Sequence, residues 1–136
     1  KDVFIGVSGP NILSGDAVKA MADRAVVLAM ANPIPEIMPD EALKAGAYIV
    51  GTGRSDFANQ VNNVLAFPGI FRGALDVRAR DINMAMKIAA AEAIAATVDE
   101  DELTPEYVLP KAFDPQVAKN VAEAVRKAAV ESGVAR

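Results

Sequence analysis

Residues 25–50, AVVLAMANPIPEIMPDEALKAGAYIV, decide the fold that we expect. The stretch opens with the apolar run Ala25–Ala31 and closes with a second apolar run, Ala47–Val50. Between the runs, Pro39 followed by two acids is typical of a helix start, and Gly46 is a plausible stop. Neither run alternates with polar residues, which favours strands covered on both faces, as in a parallel sheet. The stretch therefore predicts a strand–helix–strand unit with a right-handed crossover.

The segment before this unit adds one more strand and one more helix. A third apolar run, Val3–Val7, lies close to the start of the chain. Ser14 can then cap a helix that continues to Met21. The order strand, helix, strand, helix, strand predicts an α/β fold. Because the chain opens directly on a strand, we expect that residues precede Lys1 and that partner strands lie beside the first strand.

The second half of the chain is predicted to be helical. Asn59–Ala74 looks like a helix that Pro68-Gly69 bends or breaks. Asp81–Val98 is a long alanine-rich helix with one apolar stripe. Thr104-Pro105 and Asp114-Pro115 each look like a cap followed by proline at the first helical position. The last helix carries one apolar face, formed by Val117, Val121, Val125 and Ala128.

Composition excludes several classes of function. The chain has 136 residues, a net charge of −4 and no basic run, which argues against nucleic acid as a partner. It has neither Cys nor His, so it lacks thiolate ligands and the commonest general base. No apolar run reaches the roughly 18 residues of a transmembrane helix. No signal peptide is visible, and we therefore expect a cytoplasmic protein without a membrane partner.

The candidate site lies where the three predicted strands end. In open α/β sheets, ligands bind outside the carboxyl ends of the strands. The three exits carry small or amide residues: Gly6–Asn11, Asn32-Pro33 and Gly51–Asp56. Such residues let the backbone approach a ligand closely, although ordinary turn chemistry explains each exit by itself. Both a ligand-binding cleft and plain turns stay open at this point.

Two polar pairs accompany the third exit. Asn62-Asn63 lies in a segment that otherwise favours a helix, so the pair either caps helical N–H groups or offers amides to a small hydroxy acid. The residues alone favour capping, by Asn59 or Asn62. Arg54 either pairs with Asp56 or clamps an anion, and the nearby acid favours the pair. No phosphate-binding fingerprint and no acid–base dyad is present.

The stretch Thr52–Asp76, TGRSDFANQVNNVLAFPGIFRGALD, resembles malic enzymes of the bacterial and archaeal type. DVFIGVSGPN at residues 2–11, AMANPIPEIMP at 29–39 and DINMAMKIAAAEAIA at 81–95 are similar to the same family. The likeness implies a partial Rossmann-like parallel sheet of three strands flanked by helices, with a helical carboxy-terminal section. It also implies that residues 1–136 are the carboxy-terminal part of an NAD(P)-binding domain, without the amino-terminal catalytic domain and the glycine fingerprint.

The resemblance further implies oxidative decarboxylation of (S)-malate to pyruvate and CO2, with NAD or NADP reduced and Mg²⁺ or Mn²⁺ required. The family's catalytic residues and metal ligands lie outside this chain, so none is assigned here and the chain alone is expected to be inactive. Substrate-binding positions of the family match Asn32, Asn62 and Asn63. Cofactor-binding positions match Val7, Ser8, Gly9 and Asn32. The implied partners are the rest of the polypeptide and further copies of the enzyme, as a homo-oligomer.

Two other interpretations stay open beside this one. The chain could be a non-catalytic α/β module that binds a small ligand or mediates assembly. It could also be half of the binding domain of another nicotinamide-dependent dehydrogenase. A longer polypeptide with the glycine fingerprint would exclude the module, and metal-dependent oxidation of malate would separate the two dehydrogenases.

Overall fold

The computed structural model describes residues 1–136 and divides them into two compact units. The first unit comprises Lys1–Val61 and Thr104–Val108, and the second comprises Asn62–Leu103 and Leu109–Arg136. The first unit contains the sheet, and the second is built from helices. None of the helices combines the length and the apolar character that crossing a membrane requires.

The first unit is the predicted parallel sheet with two helices. Its elements are β1 (Val3–Gly6), α1 (Gly15–Lys19), β2 (Val26–Ala29), α2 (Pro39–Lys44) and β3 (Ile49–Thr52). The strands are parallel and ordered β1-β2-β3. Their last residues lie side by side, because Gly6 pairs with Ala29 and Ala29 pairs with Thr52. The predicted α/β fold is confirmed, and all three strand exits open on one edge of the sheet.

The two faces of this sheet differ in burial. On one face, Val27, Ala29 and Val50 are buried in a core with side chains of α1 and α2. On the other face, Val3 is 53% exposed and Ile5 is 64% exposed. The prediction of strands covered on both faces is therefore wrong for β1 within this chain, because α1 and α2 both cover the same side.

Local signals place both helices of the first unit correctly. The Ser14 hydroxyl accepts a hydrogen bond from the Ala17 N–H at 3.2 Å, as expected of a cap. The helix is short, however, and ends at Lys19 rather than Met21. Pro39 is the first residue of α2, and Gly46 follows the helix with a φ of +104°. Both predicted starts and the predicted stop of α2 are confirmed.

The second unit packs three helices around an apolar core. A short 3-10 turn, Asn63–Leu65, precedes α3 (Phe67–Asp76), α4 (Met84–Ala95) and α5 (Pro115–Glu131). The predicted apolar face of α5 is confirmed, since its four residues are all buried. Gly73 of α3 lies so close to α5 that an added Cβ would collide with the carbonyl oxygen of Ala122. The missing side chain therefore lets α3 and α5 approach closely. The core consists of Leu65, Ala74, Met86, Ala90, Val117, Val121, Val125, Ala128 and Ala129.

Three helix predictions need correction here. Pro68 is the second residue of α3 and does not break the helix, because the backbone N–H that proline lacks is not needed in the first turn. The residues from 59 to 62 are not helical. The fourth helix is shorter than residues 81–98 and starts after Asn83, whose side chain accepts from the Met86 N–H.

The two Thr-Pro and Asp-Pro signals have different outcomes. Asp114 caps α5 and accepts from the Gln116 N–H at 2.9 Å, as predicted. Thr104-Pro105 starts no helix, and that prediction is wrong. Thr104 instead forms an isolated bridge with Tyr107 in a turn. The carbonyl of Pro105 is occupied by a side chain of the first unit, that of Asn59, at 2.8 Å.

Candidate functional site

The exit of β1 is an open segment of backbone. Val7 is 77% exposed, Ser8 is exposed, and a Cβ added to Gly9 would meet no atom within 4 Å. These are the three residues that the family resemblance assigns to the cofactor.

A buried carboxylate lies beneath this exit. Glu36 is fully buried, and its Oε1 accepts from the Ser8 N–H at 2.8 Å and from the Ser8 hydroxyl at 3.3 Å. Its Oε2 accepts from the Ala31 N–H at 3.1 Å. Burial acts to raise the pKa of Glu36, but the hydrogen bonds from Ser8 and Ala31 outweigh it and hold the pKa below its ordinary value. Glu36 is therefore charged at neutral pH.

The exit of β2 presents an exposed amide. Asn32 directly follows Ala31, is exposed, and precedes Pro33 through a cis peptide bond. A Cβ added to Gly53 would lie 3.1 Å from the Asn32 Nδ2. The Asn32 side chain therefore lies against the exit of β3. An amide in this position can donate and accept at once, as a hydroxy acid or a ribose requires.

The exit of β3 is shaped by an ion pair and a buried amide. Arg54 donates two hydrogen bonds to Asp56, at 2.9 and 2.7 Å, and these bonds lower the pKa of the Asp56 carboxyl. The predicted pair is confirmed, so Arg54 is engaged within the chain. Asn59 is buried and bonds to the backbone of Val50, Pro105 and Val108. This amide ties the chain after β3 to the 104–108 turn instead of capping a helix.

The Asn62-Asn63 pair lies in the second unit, and its two members differ. The Asn62 Oδ1 accepts from the Val64 N–H at 3.0 Å and caps the 3-10 turn. Asn63 is exposed, and its amide makes no hydrogen bond within the chain. Capping, which the residues alone favour, thus describes Asn62 but not Asn63.

Sequence reasoning missed Glu36 and the role of Asn59. Glu36 is 28 residues from Ser8, and no short-range spacing connects the two. Its one sequence signal is a carboxylate placed between prolines and apolar residues, in PIPEIMP. No group of three or more acidic side chains comes close enough together to hold a metal ion.

Comparison with known proteins gives a consistent result. Residues 1–130 match the family model described as "Malic enzyme, NAD binding domain". The bifunctional malic/malolactic enzyme of Bacillus subtilis (strain 168) is 66% identical over 135 residues, covering 99% of this chain and 33% of that enzyme. The NAD-dependent malic enzyme of Geobacillus stearothermophilus is 58% identical over 135 residues, covering 99% of this chain and 28% of that enzyme.

The solved structures agree with the sequence comparisons. The crystal structure of the malic enzyme from Pyrococcus horikoshii Ot3 has a TM-score of 0.94 and 51% sequence identity to this chain. The match covers 99% of this chain and 31% of that one, so the chain spans about a third of the length of these relatives. The chain belongs to the malic enzyme family, and its residues 1–130 match the NAD-binding domain of that family.

Proposed function

We propose that this chain is the part of a malic enzyme that contacts the nicotinamide end of NAD or NADP and one carboxylate of malate. The polypeptide that contains it would oxidise and decarboxylate (S)-malate to pyruvate and CO2. The observation that carries the proposal is the shared edge of the parallel sheet, where open backbone at Gly9 and an exposed amide at Asn32 follow neighbouring strands. Ligands of open α/β sheets bind at such an edge.

The roles proposed for the cofactor-binding residues follow from their surroundings. Val7 and Ser8 are exposed, Gly9 is partly exposed with no atom near its missing side chain, and a flat ring could lie against all three. Asn32 offers an amide donor and acceptor beside them. When bound, the nicotinamide ring supplies the hydride acceptor. The chain's own contribution is to place and orient that ring.

Asn63 is proposed to hold a malate carboxylate, with Asn62 beside it. An amide N–H that donates to a carboxylate forms a charge-assisted hydrogen bond. The Asn62 side chain keeps the turn that carries Asn63 in place, through its bond to Val64. The base, the acid and the ligands for Mg²⁺ or Mn²⁺ would come from the rest of the polypeptide. Further copies of the enzyme are proposed partners.

The experiment is Asn63→Ala in the intact malate-oxidising polypeptide. We expect kcat/KM for malate to fall at least about tenfold, or about 1.4 kcal/mol, the value of one charge-assisted hydrogen bond. The unfolding midpoint should stay within about 1 °C, because an exposed side chain without partners contributes little to stability. Steady-state kinetics with varied malate at saturating cofactor measure the effect.

Asn120→Ala is the matched control. This variant also removes an amide from the second unit, but one that bonds to Gln116 of α5 and to Thr97 in the turn after α4. Its malate kinetics should equal those of the wild type. Unchanged kinetics in Asn63→Ala would remove the carboxylate role from Asn63. An intact polypeptide that neither oxidises malate nor binds a nicotinamide cofactor would overturn the proposed function as a whole.

A further inference from the structure

One carboxylate connects two strand exits of the first unit. The Glu36 Oε1 bonds to Ser8, which follows β1, and the Oε2 bonds to Ala31, which follows β2. Each oxygen thus serves a different exit. Gly9 directly follows Ser8 and Asn32 directly follows Ala31, and the proposed function places both of them against the cofactor.

The position of Glu36 requires a carboxylate rather than a neutral amide. Burying an ionised carboxylate is costly, and this one is compensated by N–H and O–H donors instead of by an ion pair. A glutamine would fill the same volume without that cost. However, a glutamine has one acceptor oxygen, whereas the two N–H groups of Ser8 and Ala31 need two acceptors. The arrangement is therefore specific for a carboxylate.

Gly6, the last residue of β1, leaves room for the Glu36 carboxylate. A Cβ added to Gly6 would lie 2.7 Å from the Glu36 Oε1 and 2.5 Å from its Cδ. Any larger residue at the end of β1 would displace the carboxylate from its position beneath the exit. The space at Gly6 and the charge at Glu36 are thus two parts of one arrangement.

We propose that Glu36 is a positioning residue for the cofactor, which holds the exits of β1 and β2 in the relation that nicotinamide binding needs. The inference rests on the proposed function, since it assigns a cause to the geometry of the same edge. Glu36 itself is beneath the surface and touches neither cofactor nor substrate. Its loss would change where Ser8 and Asn32 lie rather than remove a reacting group.

The test is Glu36→Gln in the intact polypeptide. Glu100→Gln, in the exposed acidic segment 99–102, is the charge-matched control. We expect the KM for NAD or NADP, and the Kd for its reduced form by fluorescence titration, to rise about tenfold, which corresponds to about 1.4 kcal/mol. The control should equal the wild type in both measurements. A residue needed for folding only would lower the amount of active enzyme, and hence the maximal rate, without changing either constant.

A second variant covers the case in which Glu36→Gln does not fold. Gly6→Ala pushes on the far end of the Glu36 side chain, which can shift, and it leaves Ser8 and Asn32 themselves intact. We expect it to raise the same two constants about fivefold, roughly 1 kcal/mol. Either variant, folded and with a cofactor KM within twofold of wild type, would overturn the positioning role. A wild-type polypeptide that binds no nicotinamide cofactor would instead count against the proposed function.

Discussion

Different kinds of interaction stabilise the interiors of the two units. The buried polar side chains, Glu36, Thr52 and Asn59, all lie in the first unit. Glu36 accepts from backbone N–H groups of the strand exits, and Asn59 bonds to backbone groups of β3 and of the 104–108 turn. The buried side chains of the second unit are apolar, and its helices approach each other where Gly73 has no side chain. In the first unit, Glu36 and Asn59 fix the positions of backbone segments through buried hydrogen bonds, whereas the second unit is stabilised by close packing of helices.

This difference agrees with the proposal that the strand exits of the first unit orient the cofactor. A buried polar group that is fully bonded specifies one conformation, because every alternative leaves a donor or acceptor unpaired. Strand exits that orient a cofactor need such specification. Apolar packing tolerates small shifts more easily, so it suits a unit whose core holds no polar side chain in a fixed position. One substitution in each unit tests this difference in stabilisation.

The largest effect is expected from Asn59→Ala in the first unit. The variant removes two hydrogen bonds donated to Val50 and Pro105 and one accepted from Val108. It leaves buried backbone groups unpaired, so the free energy of unfolding should fall by about 3 kcal/mol. Denaturant unfolding followed by circular dichroism measures the change.

Asn11→Ala is the control for Asn59→Ala. Both asparagines have positive φ, +55° at Asn11 and +51° at Asn59, but Asn11 is exposed. Its substitution reports the cost of the backbone conformation alone, about 1 kcal/mol. Equal losses in the two variants would show that the buried bonds of Asn59 contribute nothing, and the comparison between the units would fail.

A smaller effect is expected from Gly73→Ala in the second unit. The added Cβ meets a backbone carbonyl and lies 2.9 Å from the Cβ of Val125, so α3 must move away from α5. Overpacking of about 3 kcal/mol, offset by about 1 kcal/mol of better helix propensity, leaves a net loss of about 2 kcal/mol. The same denaturant unfolding measures it.

Leu75→Ala on the same helix is the control for Gly73→Ala. Leu75 is 74% exposed, so its truncation should cost less than about 0.5 kcal/mol. If Gly73→Ala is as stable as the wild type, α3 and α5 are not packed as closely as described. Cofactor binding should stay unchanged in both variants, since neither residue belongs to the strand exits.

Signals that act over a few residues made much of the fold predictable. Ser14, Pro39 and Asp114 were placed correctly because a cap depends on the residues that follow it directly. The parallel sheet followed from apolar runs separated by helices. Pro68 was misread because proline disrupts a helix interior but suits a first turn, and sequence alone did not show where the helix begins.

Long-range contacts account for what could not be predicted. The bond between Ser8 and Glu36 spans 28 residues, and the bond between Asn59 and Val108 spans 49. No spacing rule connects residues that far apart, so the carboxylate beneath the exits and the role of the 104–108 turn became visible only in the folded chain. The open face of β1 could not be foreseen either, because an apolar run does not say which side is covered.

Hydrogen–deuterium exchange of the intact polypeptide, with and without a saturating nicotinamide cofactor, shows most directly whether the strand exits contact the cofactor. We expect the cofactor to slow exchange in the peptides covering residues 6–11 and 31–36, where the exits of β1 and β2 lie. Exchange within α4 and α5 should not change. If the cofactor binds, as shown by fluorescence, but exchange slows at neither exit, the proposal that the exits of β1 and β2 contact the cofactor is contradicted.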